Sequence, residues 1–299
     1  MRDLLQDLKV PHQTDVPLGP LTSYGVGGPA KVLARPSSVQ QLSMLAVKCH
    51  DRGVPVYVLG SGANLLVADE GVDGVVVTLA DPCFTQVKTE GQVMTVGAGF
   101  DLARLVLDTA KAGLGGLECL AGIPASVGGA VHMNAGGIFG EIGRAVRRVR
   151  VMGGNGQTYY RDRDDLVFGY RTTNIIAPFI LEVEFDLTPD DPEALMRQVK
   201  EIYLYKKNSQ PLAADSAGCA FKNPDPDASD GASAGKLIDQ AGLKGHRVGR
   251  ASVSRLHANF IVTDDGCTAA DVLAVLDHVH QTVLEKYGIS LEREVVCWP

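Results

Sequence analysis

The sequence predicts an α+β protein built from more than one domain. Strand and helix signals alternate over the first 80 residues, and a second unit of strands and an amphipathic helix begins near residue 85. That second unit is interrupted by a glycine-rich, charge-poor run over residues 113–143. A chain of 299 residues suits one large domain or, more often, two. With 45% hydrophobic and 21% charged residues it can bury a sizeable core. The net charge of −7 lacks the basic patch that a nucleic-acid partner demands. No apolar run approaches the roughly 20 residues of a membrane helix. The start, MRDLLQDLKVPHQ, alternates charge with short apolar pairs and has no apolar h-region, so no signal peptide is expected. Cysteines 49, 83, 119, 219, 267 and 297 lie far apart without a CxxC, which argues against zinc and against a disulfide framework. The expectation is a cytoplasmic protein with reduced thiols and no metal.

In chain order, Ser38 and Gln41 form a capping box for a helix carrying Val39, Leu42, Leu45, Ala46 and Cys49 on one face. Gly53 stops it, and PVYVL (55–59) follows as a buried strand. The GSG that comes next is no Rossmann fingerprint. That motif needs a third glycine where Leu65 stands and a helix behind it, whereas here a turn (DEG, VDG) leads to another strand, VVVTL. QVMTVGAG alternates like a strand, and DLARLVLDTAKAG is a helix with Asp101 as N-cap and Gly113 past its end. AVRRVRVM and QTYYRD form a hairpin through Gly153-Gly154-Asn155-Gly156, and FILEVEFDL closes the unit. Pro189, Asp190, Asp191 and Pro192 mark a boundary before a helix at 193–207. The polar stretch from Asn208 to Lys236 reads as ordered loop, ending at Ser233, the N-cap of a short helix. ANFIVT is a strand. Thr268 and Asp271 start the last helix, whose stripe is Val272, Val275, Leu276, Val279 and Val283, and Gly288 ends it.

The run 113–143 holds ten of the chain's 34 glycines and only two formal charges, Glu118 and Glu141. Two readings stand open: bare main chain laid against a large anionic ligand such as a dinucleotide pyrophosphate, or tight turns in a buried β-region. Single polar residues decide little. His278 and His280, two apart on a helix, face different ways and make a poor metal pair. Taken alone, Arg171 reads as a strand-edge arginine, Cys219 as a small buried hydrophobe and Glu294 as a solvated strand charge.

Blocks in series change that. GSGANLLVADEG, GLECLAGIPASVGGAVHMNAG, FGYR followed by SAGCAFKNP, and AGLKGHRVGRASVSRLHANFIV ending in LEREV together resemble the UDP-N-acetylenolpyruvoylglucosamine reductase family. The resemblance runs from about Leu21 to Val295, in the shorter class without an inserted substrate loop. It implies a vanillyl-alcohol-oxidase/PCMH-type FAD-binding fold of two subdomains, at 1–82 and 83–206, plus a C-terminal α/β substrate-binding domain at 207–299. Implied cofactors are FAD and NADPH, with hydride passing from NADPH through FAD to the enolpyruvyl double bond of a UDP-sugar. The loops holding Gly60, Ser61, Gly62, Ala63, Asn64 and Leu65, and Gly122, Ile123, Pro124, Ser126, Gly128, Gly129 and Ala130, would bind FAD. Arg171 and Glu294 match the residues that stabilise the developing enolate. Cys219, where serine is frequent, matches the proton donor. Tyr170, Lys207, Asn223 and His257 would contact substrate, with a structural histidine an equal alternative at 257. Gly25 replaces a frequent arginine or lysine, and Thr172-Thr173 a common serine pair. A monomer is the default by resemblance.

Overall fold

The computed structural model describes Leu5 and residues 8–299, so most of the charge alternation noted at the N-terminus lies outside the described residues. The chain forms two compact units, one from residues 1–16, 30–61 and 73–205, the other from residues 17–29, 62–72 and 206–299. Two segments placed with the first subdomain by the sequence, 17–29 and 62–72, therefore cluster with the C-terminal region.

The first unit holds a four-stranded and a five-stranded sheet besides short two-stranded pairings. The four-stranded one runs in the order His12–Pro17, Pro29–Ala34, Val72–Val77, Val56–Val58, its last pair parallel with Val56 opposite Val75. Helix α1 (Val39–Asp51) covers it because Leu42, Leu45, Ala46 and Cys49 recur at helical spacing and pack among Val32, Ala34, Val75 and Val77. Each such leucine contributes roughly 1.5–3 kcal/mol. Ser38 accepts from the Gln41 amide, as the capping box requires, but the Gln41 side chain returns to the Ser37 amide at 2.8 Å rather than to Ser38. The DEG segment turns, whereas Asp73 and Gly74 already belong to the following strand.

The second sheet is antiparallel in the order Thr158–Asp162, Val146–Met152, Phe179–Asp186, Val93–Gly97, Val87–Glu90. The expected hairpin is present, with Met152 opposite Thr158. Helices α2 (Leu102–Lys111), α3 (Val127–His132) and α4 (Pro192–Ser209) follow in chain order. Asp101 caps α2 as expected, accepting from the Arg104 amide. Helix α3 lies inside the glycine-rich run.

In the second unit, Arg247–Val248, Ala251–Val253 and Ile261–Thr263 form an antiparallel sheet, and Leu65–Val67 pairs in parallel with Val296–Trp298. Helices α5 (Ala234–Gln240) and α6 (Ala269–Tyr287) complete a core that includes Tyr24, Leu66, Phe221 and the α6 stripe. All six cysteines are free, and burial foremost pushes the Cys49, Cys83 and Cys267 thiols up to about 11.

Helix α6 begins in a complete capping box, Thr268 accepting from the Asp271 amide while Asp271 accepts from the Thr268 amide. The Arg250 and Thr268 amides hold the Asp271 pKa below its ordinary value. Its contribution to stability is thus present above the usual carboxylate range and lost as pH falls through and below it. Thr268→Ala is expected to lower unfolding free energy by about 1 kcal/mol, with Thr268→Ser close to wild type, measured by chemical denaturation.

Candidate active site

Two distant loops meet in the first unit. A Cβ added at Gly60 would lie 2.5 Å from the Ser126 hydroxyl, so the GSGAN loop touches the GIPASVGGA loop where no side chain fits without moving that oxygen. The hydroxyl is already engaged: Ser126, in extended conformation, caps α3 by accepting from the Gly129 amide at 3.3 Å. The second loop is pinned behind this contact. The Val127 amide donates to the Phe100 carbonyl, Gly128 to Ala98, and Leu102 to Ala125. A Cβ at Gly128 would meet that of Ala98 at 2.8 Å, which accounts for the glycine.

The predicted cofactor residues therefore divide by exposure. Gly60, Ser61, Pro124 and Gly129 are exposed, and Ala63, Asn64, Gly122, Ile123 and Ser126 are partly so. Gly62, Leu65, Gly128 and Ala130 are buried and serve packing. Gly62 has φ +68° and would drive a Cβ to 2.1 Å from the Leu21 carbonyl, a position only glycine fills. Exposed, closely apposed main chain at a glycine loop suits an anionic diphosphate.

Arg171 sits at the tip of a hairpin in which Phe168 opposes Thr173 and Gly169 opposes Thr172. Its φ of +55° is the left-handed region that costs a non-glycine residue roughly 1–2 kcal/mol. Its guanidinium carbon lies 5.2 Å from the ring centre of Tyr170, which is exposed. Strain of this kind persists where surrounding structure over-determines it, and it concentrates at functional positions.

Cys219 and Glu294 belong to the second unit. Residues 219–222 run between two neighbours, bridging Phe260 at Cys219 and Arg293 at Phe221. The Ala220 amide donates to the Asn259 carbonyl at 2.7 Å, the Glu294 amide to the Ala220 carbonyl at 2.8 Å, and the Lys222 amide to Glu292 at 2.8 Å. Asn259, 2% exposed, adds both ends of its side-chain amide: Oδ1 accepts from the Phe221 amide and Nδ2 donates to the Phe221 carbonyl. On the other flank the Asn64 side chain donates to the Glu294 carbonyl at 2.9 Å, and the Val296 amide donates to the Asn64 carbonyl. Asn64, expected at the cofactor, thus has its side chain turned to the Glu294 carbonyl. Neither asparagine's bracing role was visible in the sequence.

The remaining predicted residues, Lys207, Asn223 and His257, belong to the second unit, the last two lying against the start of α5. Lys207 is exposed near the end of α4. Asn223 accepts from the Ala234 amide at 3.1 Å at the start of α5. The His257 Nδ1 accepts from the Asn259 amide at 3.2 Å and its ring meets Phe260 edge-on, while burial, with the Lys244 charge second, keeps it below its ordinary pKa. No group of three or more potential metal ligands occurs among the described residues. A cavity of about 470 Å³ on the five-stranded sheet is lined in part by the Arg148–Glu184 ion pair and by Tyr160, whose hydroxyl donates to Glu182.

Comparison with known proteins gives these loops their context. Residues 30–159 match the FAD binding domain family, and residues 210–298 match the C-terminal domain of UDP-N-acetylenolpyruvoylglucosamine reductase. The reductase of Bacillus subtilis strain 168 is 38% identical, spanning 99% of this chain and 98% of its own length. That of Moorella thermoacetica is 39% identical over 99% of this chain and 96% of its own. The chain belongs to the UDP-N-acetylenolpyruvoylglucosamine reductase family. The crystal structure of the reductase from Thermus caldophilus, at 40% identity, superposes with a TM-score of 0.82 over 97% of this chain and 99% of that one. The FAD-binding fold and the FAD cofactor hold: this is an FAD-dependent oxidoreductase with the reductase family's own C-terminal domain.

The glycine cradle fits FAD, since Gly60, Ser61 and Gly129 present main chain without side-chain obstruction. Gly60→Ala must push the Ser126 hydroxyl off the Gly129 amide. FAD retention, read as the flavin-to-protein absorbance ratio after gel filtration, should fall about ten-fold, the equivalent of roughly 1.4 kcal/mol. Gly137→Ala, where an added Cβ meets nothing within 4 Å, should retain flavin.

Proposed function

We propose that this protein reduces the enolpyruvyl group of UDP-N-acetylglucosamine enolpyruvate to give UDP-N-acetylmuramate, a step of peptidoglycan precursor synthesis, with NADPH as reductant. Bound FAD supplies the hydride relay between the two substrates. The observation that carries the reading is the hydrogen bond from the Glu294 amide to the Ala220 carbonyl, which sets the Cys219 and Glu294 segments side by side within a family-specific domain.

Hydride arriving at the β-carbon of an enolpyruvyl ether leaves charge at the α-carbon, spread into the carboxylate. A guanidinium stabilises that charge as it develops, the part we assign to Arg171. Glu294 polarises the same group, directly or through a proton or water. Cys219 then protonates the α-carbon: a thiol, which in water titrates near ~8.5, is a far better donor than an alcohol. The Ser126 cap and the main chain of Gly60, Ser61, Gly62, Ala63, Asn64, Leu65, Gly122, Ile123, Pro124, Gly128, Gly129 and Ala130 hold the pyrophosphate region of FAD, the exposed members by contact and the buried ones by shaping the loops. Tyr170 and Lys207 meet the UDP-sugar, Lys207 as a point charge toward a phosphate. Asn223 and His257 border the same substrate while bracing α5 and the 259–260 segment.

The working form we assign is a cytoplasmic monomer without a nucleic-acid partner. The net charge of −7 supports the last of these, and no helix among the described residues is long and apolar enough to cross a membrane.

Cys219→Ala should lose product formation while NADPH still bleaches the flavin anaerobically, and Cys219→Ser should keep measurable turnover. Normal steady-state turnover by Cys219→Ala would remove Cys219 from the mechanism.

A further inference from the structure

Asn134 lies in the block HMNAG, one residue beyond the C-cap of α3, and its side chain has no part in the chemistry assigned so far. It is wholly buried, at 0% exposure, and adopts φ +45°. Asparagine tolerates this left-handed conformation better than other side chains. Both ends of its amide are engaged. Nδ2 donates to the Gly169 carbonyl at 2.8 Å, and Oδ1 accepts from the Gly143 amide at 3.1 Å. Gly143 is as tightly constrained: a Cβ there would lie 2.5 Å from the Phe168 ring and 2.8 Å from the Asn134 oxygen.

Gly169 immediately precedes the tip residues Tyr170 and Arg171. Beside it, the hydroxyl of Thr173, on the opposite strand of the hairpin, donates to the His132 carbonyl at 3.1 Å. Both strands of the hairpin are thus tied to the C-terminal end of α3, and the other end of α3 begins at Ser126, against Gly60. A hairpin with two ladder pairs cannot hold a left-handed arginine at its tip unaided. Its base is fastened separately, Asn174 accepting from the Val167 amide and donating to the Asp165 carbonyl. Next to Arg171, the Asn134 and Thr173 bonds tie the hairpin to the C-terminal end of α3.

We propose that Asn134 is a positioning residue: through the Gly169 carbonyl it registers the Arg171 hairpin against the helix that carries the flavin loop. This rests on the role assigned to Arg171 above.

Asn134→Asp tests it. It keeps size, left-handed tolerance and the acceptor for Gly143, but turns an acceptor toward the Gly169 carbonyl. Flavin content and the rate of anaerobic flavin reduction by NADPH should stay within about two-fold of wild type. Reoxidation by the enolpyruvyl substrate should slow about 10- to 100-fold, the scale of a misplacement near 1 Å. Amide exchange should quicken over residues 169–173 and stay unchanged in the five-stranded sheet. In an Arg171→Ala background the same change should add nothing to the loss. Thr173→Val, at the exposed tether, gives a second reading if Asn134→Asp fails to fold, with an expected two- to five-fold loss in the same half-reaction.

Equal slowing of both half-reactions, or full multiplication of the Asn134 and Arg171 effects, would overturn the proposal. So would normal reoxidation in Asn134→Asp, or in Thr173→Val if that is the variant that folds, while Arg171→Ala is impaired. Normal reoxidation by Arg171→Ala itself would instead overturn the reading of Arg171, and the tether's purpose would fall with it.

Discussion

The close approach of Gly60 to Ser126 is the constraint on which the meeting of the two glycine loops depends. A pyrophosphate bound by main-chain amides needs peptide groups that are exposed, fixed and unobstructed, and any side chain at the contact defeats that. Glycine supplies the bareness, but glycine alone is flexible. The rigidity comes from behind, from the amides of Val127 and Gly128 locked to Phe100 and Ala98 and from the serine cap on α3. The fold thus holds a glycine loop rigid with the sheet and helix next to it, and the entropy glycine forfeits on ordering is offset by those surrounding bonds.

The second unit solves a different problem. Cys219 lies in a stretch too polar to form a core strand by its own pattern, yet residues 219–222 are held on both flanks by the 259–260 and 292–294 segments. The anchor is Phe221, fully buried among Ala220, Leu291 and Val295, so one aromatic side chain fastens the segment. Burying a phenylalanine contributes roughly 1.5–3 kcal/mol, comparable to ordering two such residues. The hydrogen bonds then decide register rather than stability.

How much of this was legible follows from what each feature is made of. The caps at Ser38, Asp101, Ser233 and Thr268 were readable because a cap is a local rule, written within four residues. The glycine run announced close approach, but not helix α3, since Gly128 and Gly129 are among the poorest helix formers and only the Ser126 cap and packing on Ala98 make the turn. Arg171, Cys219 and Glu294 were reached through family blocks, and nothing local marks them. Asn259 and Asn134 went unread because their partners are 38 and 35 residues away. Segments 17–29 and 62–72 cluster with the C-terminal unit through pairings such as Leu65 with Val296 that no sequence window contains.

Three asparagines share one device. Asn64 reaches the Glu294 carbonyl, Asn134 the Gly169 carbonyl and Gly143 amide, and Asn259 both groups of Phe221. A primary amide carries a donor and an acceptor in the geometry of a peptide group, so it can stand in for a missing strand where the ladder has ended. Aspartate could supply only the acceptor, and in the buried setting of Asn134 and Asn259 its charge would need a partner of its own. The amide does not titrate. Bracing the segments of Arg171, Cys219 and Glu294 with asparagine therefore leaves these braces unchanged as pH changes.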